Sequence, residues 1–420
     1  MKIAVYVTML AMVGPIIALF AACGGGGEDD PTQTQPQETE ENVGPVTITI
    51  GNFTDKTGVA SGALGVVDMA LEDIVGYYNE QNLIPGVKLE IITYDGQWRE
   101  AEHIPGYESL RQQGADLIWT PDPPAVETLK PIVDKDEFML FAATANVDLK
   151  ELDGGHVFSL GITPEYEAYT LLKWIAENDP DFPKGRPAKI GGAAWLDGYS
   201  KIWYEAIENY ADAHPDQYEW VCGYLSEFTF VWDTEVEGLK DCDYLYVPAP
   251  MHMFARQYRD AGHTAKFIGT DVQVAFLGSI DNAGLWNEID GSLFIRASQW
   301  FNEKGAIINL ANQLLIENHP DTAEETRRVG SGYLSIQQEY MMLEIIRNAV
   351  ETEGPENFDS QALYNAATSF SFSLDGIKEF ATFDENKRYA QNYYGIYEID
   401  AAQKDLFRVD PEWCDQVFSP

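Results

Sequence analysis

Between Val46 and Tyr78 the spacing of apolar residues changes once, and that change fixes what this chain can fold into. Val46, Ile48 and Ile50 alternate with Thr47 and Thr49, the period of a strand with one face buried. Val67, Ala70, Leu71, Ile74, Val75 and Tyr78 then recur at three- and four-residue spacing, the period of a helix. The loop between them is rich in Gly, Ser and Thr. A strand, a short loop and a helix open an α/β sheet, and ligands of such sheets sit at the carboxyl ends of the strands. The segment Thr54 to Ser61 is therefore expected to face a ligand, with backbone N–H groups at the helix start adding polar contacts.

The residues before this unit have a different character. Lys2 precedes an apolar run from Ile3 to Ala22, followed by Cys23 and four glycines. A charged start, an apolar middle and small residues at the cut are what an export signal needs. A membrane-spanning helix is the competing reading, since about 20 apolar residues suffice. Gly14-Pro15 inside the run and the glycines after Cys23 argue against it. From Gly24 to Pro45 almost no apolar side chain is available for burial, so the segment is expected to be a disordered tether. A flexible chain of that length reaches about 25 Å.

The residues from Val46 onward are too many for one compact core and suit two lobes or more. A formal charge of −41, from 68 acidic and 27 basic residues, excludes most nucleic-acid partners, because phosphate backbones are bound through clustered Lys and Arg. The charge reads more simply as a heavily solvated surface. Four cysteines are present. Cys222 and Cys242 lie on strand-like segments and export permits a disulfide between them, but other pairings and free buried thiols stay open. The scattered histidines form no zinc pattern, and neither a metal nor an organic cofactor is implied.

Strand and helix patterns alternate along the rest of the chain at the spacing of βαβ crossovers. Strands are expected at Lys88 to Asp95, Ala115 to Thr120, Phe138 to Thr144 and His156 to Ile162. Pro105-Gly106 is expected to kink or interrupt the helix Glu100 to Arg111. A second series follows, with strands from Lys189, Tyr218, Asp243, Lys266 and Ser292, helices such as Tyr199 to Ala211, and a closing hairpin between Thr382 and Val409.

Several short stretches carry a resemblance in this order: IGNFTDKTGVASG, KLEIITYDGQWRE, FMLFAATANVDL, WLDGYSKIWYEAI, KFIGTD, YLSIQQEYMMLEIIRNAV and FDENKRYAQNYYGIYEI. Phe20-Ala21-Ala22-Cys23 ahead of them resembles the bacterial lipobox, in which the cysteine is lipidated. Together the stretches resemble the type I periplasmic binding fold, specifically the branched-chain amino acid and amide binding family of ABC importers. The resemblance implies two Rossmann-like α/β lobes with parallel sheets, joined by a three-crossing hinge. The expected division is a signal at 1–22, a lipidated Cys23 and tether at 23–45, lobe 1 at 46–162, lobe 2 at 163–290, a return to lobe 1 at 291–360 and a last lobe 2 segment at 361–420. It implies a monomer anchored outside the cytoplasm that hands a small solute to membrane permease subunits.

By motif, the resemblance places Thr57, Gly58 and Ser61 in the first ligand loop. Trp119, Thr120 and Asp122 follow the third strand, and Ala143 and Thr144 lie in FAAT, where a hydroxyl and backbone hold a ligand carboxylate or amide. Tyr199 corresponds to an aromatic that packs on the ligand, and Asp271 to an acid that pairs with a ligand ammonium. One departure stands out. Thr120-Pro121-Asp122-Pro123-Pro124 replaces a serine-rich turn, so hydroxyls and N–H groups give way to a carboxylate and prolines. A ligand carboxylate would meet Asp122, which favours a neutral amide or a cationic solute. Each residue also has a plainer role. Asp271 and Asp122 serve as helix caps, Tyr199 as packing, and Trp98, Trp119, Trp195 and Trp300 as core or cleft aromatics. The competing classes are a ligand-sensing lipoprotein of the same fold and an exported hydrolase; GxSxG, HExxH, Walker and strand-anchored GxGxxG motifs are missing.

Overall fold

The computed structural model describes residues 44–144 and 149–420; Cys23, the export signal and the tether lie outside them. The first strand, β1 (Val46–Thr54), buries Ile48 and Ile50, and α1 (Ser61–Glu80) packs Val67, Leu71, Ile74 and Tyr78 against the same core. The alternation then continues with β2 (Val87–Asp95), α2 (His103–Gln112), β3 (Leu117–Thr120), α3 (Pro123–Asp136), β4 (Leu140–Thr144) and β5 (Val157–Ile162). Pro105 does not interrupt α2. The helix starts at His103, so Pro105 sits in the first turn, where the N–H that proline lacks would have had no intrahelical partner.

The five strands pair in parallel in the order β2-β1-β3-β4-β5. After β5 the chain leaves for α4 (Pro164–Asn178), which packs on a second sheet. That lobe contains β6 (Ala188–Trp195), α5 (Gly198–Ala213), β7 (Tyr218–Ser226), α6 (Asp233–Gly238), β8 (Tyr244–Tyr246), α7 (His252–Asp260) and β9 (Lys266–Gly269), then α8 (Asp271–Val274), α9 (Leu277–Ala283) and β10 (Leu293–Arg296). Its parallel strands run β7-β6-β8-β9-β10, the order of the first sheet repeated. Both lobes thus carry the doubly wound 2-1-3-4-5 order, with a switch point between the first and third strands of each.

The chain returns to the first lobe as α10 (Ala306–Asn318), α11 (Ala323–Val329), α12 (Ile336–Glu353), α13 (Ser360–Thr368), β11 (Ser371–Leu374) and β12 (Ile377–Thr382), and ends with β13 (Tyr393–Asp400), β14 (Asp405–Arg408) and β15 (Cys414–Asp415) on the second sheet. Two expected boundaries move. β10 is the fifth strand of the second sheet, so the return comes after Arg296 and not at 291. Residues 383–391 lie on β5, with Ala390 N–H donating to Ser159 O at 2.8 Å and Phe383 meeting Phe158 edge-on, so the last crossing falls at Asn392 and not at 361. Apolar pattern alone could not assign these segments, because it is the same on either sheet.

All three crossings leave or enter at the carboxyl ends of the parallel strands, which makes those ends face one another across a crevice. The first and third crossings are tied by Thr163 and Tyr394 hydroxyls 2.8 Å apart and by Gln391 donating to Leu160 O at 2.8 Å. The second is tied to α12 by Gln337 donating to Ala297 O at 2.9 Å. Cys222 on β7 and Cys242 just before β8 are free thiols. β6 separates their strands, and two strand spacings of about 4.8 Å exceed the reach of a disulfide, so the permitted bridge is not made.

One contact outside the hinge also joins the lobes. Ser331 donates to Asp271 O at 3.1 Å, Arg328 pairs with Asp281 at 3.6 Å, and Gly330, at φ 136, lies so close to Val274 O that a Cβ would collide with it. Gly330→Ala is expected to cost about 1–3 kcal/mol in denaturant unfolding, from backbone strain and that collision together. An unchanged midpoint and slope would show the contact to be slack.

Candidate functional site

At the first switch point the loop after β1 is organised by two carboxylates. Asp55, fully buried, accepts N–H bonds from Gly58 and from Ala60, the latter at 2.9 Å. Asp95, at the end of β2, accepts the N–H of Lys56 at 2.9 Å and of Gln97 at 3.1 Å and the hydroxyl of Thr57 at 2.6 Å. Burial opposes ionisation of Asp95, but these bonds outweigh it and hold its pKa below the ordinary value. Ser61 donates to Gly58 O at 2.8 Å. Gly58 has no room for a side chain, which would strike Gln97 and Asp55. Thr57 and Gly58 lie in the loop after β1 and Ser61 at the start of α1, with these donors engaged inside the loop.

The turn after β3 divides into core and cap. Trp119 is fully buried in the lobe 1 core, below the crevice surface and not on it, because its side chain takes the sheet face covered by α1. Thr120, also fully buried, donates to Phe53 O at 2.8 Å and accepts Asp122 N–H at 3.1 Å. Asp122 is the N-cap of α3 and accepts Ala125 N–H at 3.4 Å, while Pro123 and Pro124 fill the first helical positions and bring no N–H. Its other oxygen is buried without a hydrogen-bond donor among the described residues. His103 Nε2 stands 3.9 Å away, but burial lowers the imidazole pKa towards the neutral form. Burial pushes the Asp122 carboxyl up to about 7, the Ala125 N–H working against it and the Asp55 charge adding to it. Ala143 and Thr144 end β4, both half-buried at the crevice.

In the second lobe, Asp197 caps α5 by accepting Ser200 N–H at 2.8 Å and the Ser200 hydroxyl at 2.9 Å. The Tyr199 ring is buried and its hydroxyl donates to Glu167 at 2.7 Å, with Thr270 Oγ1 at 3.1 Å, so its polar end is turned into the lobe. Thr270, not Asp271, caps α8. Asp271 is the first helical residue, and its carboxylate is paired with the guanidinium of fully buried Arg296 and accepts Ala297 N–H at 3.4 Å. Burial raises the Asp271 pKa, with Arg296 and the Ala297 N–H opposing.

Two cavities, of about 400 and 460 Å³, open elsewhere, at the amino ends of the two sheets beside Asp179 and Leu293 and beside Asp116 and Phe138. Ligands of doubly wound sheets bind at the opposite ends, so these cavities are not the candidate site. Among the described residues no group of three or more His, Cys, Asp or Glu is placed to hold a metal, and no helix is long and apolar enough to cross a membrane.

Residues 47–182 match the sequence profile of the periplasmic binding protein family. No curated protein sequence matches the chain. Among solved structures, a branched-chain amino acid ABC transporter protein from Thermus thermophilus with bound valine superposes with a TM-score of 0.75 at 17% identity, over 89% of this chain and 98% of that one. The chain has the type I periplasmic binding fold. Other structures with this fold include a fatty acid ABC transporter substrate-binding protein from Thermomonospora curvata (TM-score 0.72, 16% identity, 90% of this chain and 94% of that one). A solute-binding protein from R. palustris in complex with 4-hydroxybenzoate is similar to the same degree (TM-score 0.72, 15% identity, 88% and 98%).

Within this type I fold, sequence reasoning missed one feature of the crevice. Trp195, at the end of β6, contacts Phe228 and Phe230 of the loop after β7, with ring centroids 4.5 and 5.7 Å apart. Phe228 is 62% exposed and Phe230 41%, beside exposed Leu196 and Val231. The matching loops of the other lobe expose Val59 and Trp98. The alternation of Phe228 and Phe230 about Thr229 reads as a continuing strand, so the pattern carried no signal of exposure.

The raised Asp122 pKa has a definite pH signature. Between about pH 4 and about pH 7 the unfolded chain gives up this proton before the folded one does, so the contribution of Asp122 to stability falls as pH rises through that window. Asp122→Asn keeps a capping oxygen and removes the titration. Its stability relative to wild type, from urea unfolding, is expected to improve by up to about 4 kcal/mol between pH 4 and pH 7. Parallel pH profiles for the two proteins would show that Asp122 titrates normally.

Proposed function

We propose that this chain is the extracytoplasmic solute-binding component of an ABC importer, capturing a small amino acid-like or amide-like solute between two closing lobes. The observation that carries the reading is the repeated 2-1-3-4-5 sheet with both sets of carboxyl ends brought face to face by three adjacent crossings. The family match over the first lobe and the solute-binding proteins that share the fold support it. Polar groups on the two lobes complete the solute's contacts together only when closed, so binding shifts the population by its differential affinity for that form.

In this reading the candidate ligand surface is the loop of Thr57, Gly58 and Ser61, the turn at Asp122, and Ala143 and Thr144 in lobe 1. Lobe 2 contributes the loop carrying Tyr199 and the start of α8 at Asp271. Cys23 carries the lipid anchor, the tether holds a monomeric binding domain clear of the membrane, and permease subunits receive the solute. The solute leaves chemically unchanged, with no metal or organic cofactor taking part.

A panel of amino acids, short amides, urea, polyamines and small peptides tests the reading by thermal unfolding. A ligand at about 100 times its dissociation constant adds about 2.7 kcal/mol, a readable shift. The stabilising solute is expected to be recovered intact by mass spectrometry. Turnover of the solute would replace this reading with the hydrolase one. Cys23→Ser is expected to release the protein from the membrane fraction; retention would refute the anchor.

A further inference from the structure

Among the described residues, carboxylates of the protein itself take most of the backbone donors of the crevice loops. An anionic solute is held in such sheets by free N–H groups at loop and helix starts. Here Asp55 takes the N–H groups of Gly58 and Ala60, Asp95 those of Lys56 and Gln97, Asp197 that of Ser200, and Thr270 that of Val272. At α3 two prolines remove the N–H and Asp122 accepts the next one. The hydroxyls of Thr57, Ser61, Thr120 and Tyr199 are engaged as donors within the protein. Arg296, fully buried beside the crevice, is neutralised by Asp271.

Apart from the exposed ammonium of Lys56 on the first loop, the charged groups left at these loops are carboxylates. An ionised carboxylate has about four lone-pair positions. Asp55 uses two of them, and one oxygen of Asp122 is buried without a donor among the described residues. At the outer end of the same crevice, Phe228 and Phe230 are exposed against Trp195 as a platform of rings whose faces attract cations. The net charge of −41 draws cations towards such a cleft and turns anions away.

We propose that the solute held between the lobes is an organic cation without a free carboxylate, its charged nitrogen attracted through space by the buried carboxylates of Asp122 and Asp55 or lying against the ring platform, and its apolar part on Phe228 and Phe230. The proposal rests on the solute-capture reading and narrows it: a zwitterionic α-amino acid, an aromatic acid and a fatty acid all bring a carboxylate, and among the described residues the crevice loops have already spent these N–H groups on carboxylates of their own.

The test is calorimetric titration and thermal unfolding of the intact protein at about pH 8, above the value of about 7 to which burial raises Asp122. Choline and putrescine are the cationic probes, and valine, benzoate and octanoate the carboxylates. A cation is expected to raise the melting temperature by several degrees while the carboxylates leave it unchanged. Its affinity is expected to fall about tenfold in the Phe228→Ala/Phe230→Ala variant, whose exposed side chains leave the core intact, and by a similar factor in Asp122→Asn. Stabilisation by a carboxylate and not by a cation would overturn the proposal and leave the solute-capture reading standing. No shift with either cation at millimolar concentration would also overturn it. Cation binding with an unchanged radius of gyration would uphold the charge assignment and remove capture by closure.

Discussion

The pairing of Arg296 with Asp271 is the interaction on which the geometry between the lobes depends. Arg296 ends β10 immediately before the second crossing and is fully buried. Its guanidinium reaches Asp271 at the start of α8, donates to Ser298 Oγ at 2.8 Å and stacks 4.7 Å from the Trp300 ring. One side chain thus fixes the exit of the chain from the second sheet and the start of the helix that the first lobe touches through Ser331. Breaking a buried pair by removing one partner typically costs about 3–5 kcal/mol, because the other charge is left alone. A charge held this way is structural, and it takes Asp271 out of the set of free counter-charges for a ligand ammonium.

The same economy recurs around the crevice. Each loop at a switch point is closed by an acid of its own: Asp55 and Asp95 in the first loop, Asp122 at α3, Asp197 at α5. Loops built this way are rigid before ligand arrives, which lowers the ordering cost of binding. They also bear on the chemistry of what binds, since a loop whose donors are spent on internal carboxylates has fewer of them left for a solute. The solved proteins of this fold named with valine or 4-hydroxybenzoate bind carboxylates. In the proposed reading the shared backbone carries closure and the loop residues carry selectivity.

Much of this was legible in the sequence because the period switches from two to 3.6 at almost every βα junction, and the order of these junctions fixes the fold. The departure at Thr120-Pro121-Asp122-Pro123-Pro124 was legible too, since proline at a helix start and Asp before it have a fixed geometry. Other features depend on direction and not on pattern. Trp119 and the neighbouring Thr120 both ended up buried, on opposite faces of a strand covered on both sides. Arg296 gave no sign of its partner because the two residues are brought together only when β9 and β10 pair. The exposed rings of Phe228 and Phe230 have the spacing of buried strand residues. Where the sequence places an acid, a cap and a ligand contact look alike, and only the hydrogen bonds at Asp55, Asp122 and Asp197 tell them apart.

Capture requires closure of the two lobes over a solute, and the most direct measurement of it is the distance between them. Spin labels at Lys56 and Glu227, exposed on crevice loops of the first and second lobe, report it without touching the hinge. Saturating solute should move the distance distribution from a longer, broad form to a shorter, narrow one. A distribution that is the same with and without bound solute would contradict capture by closure, whatever the affinity.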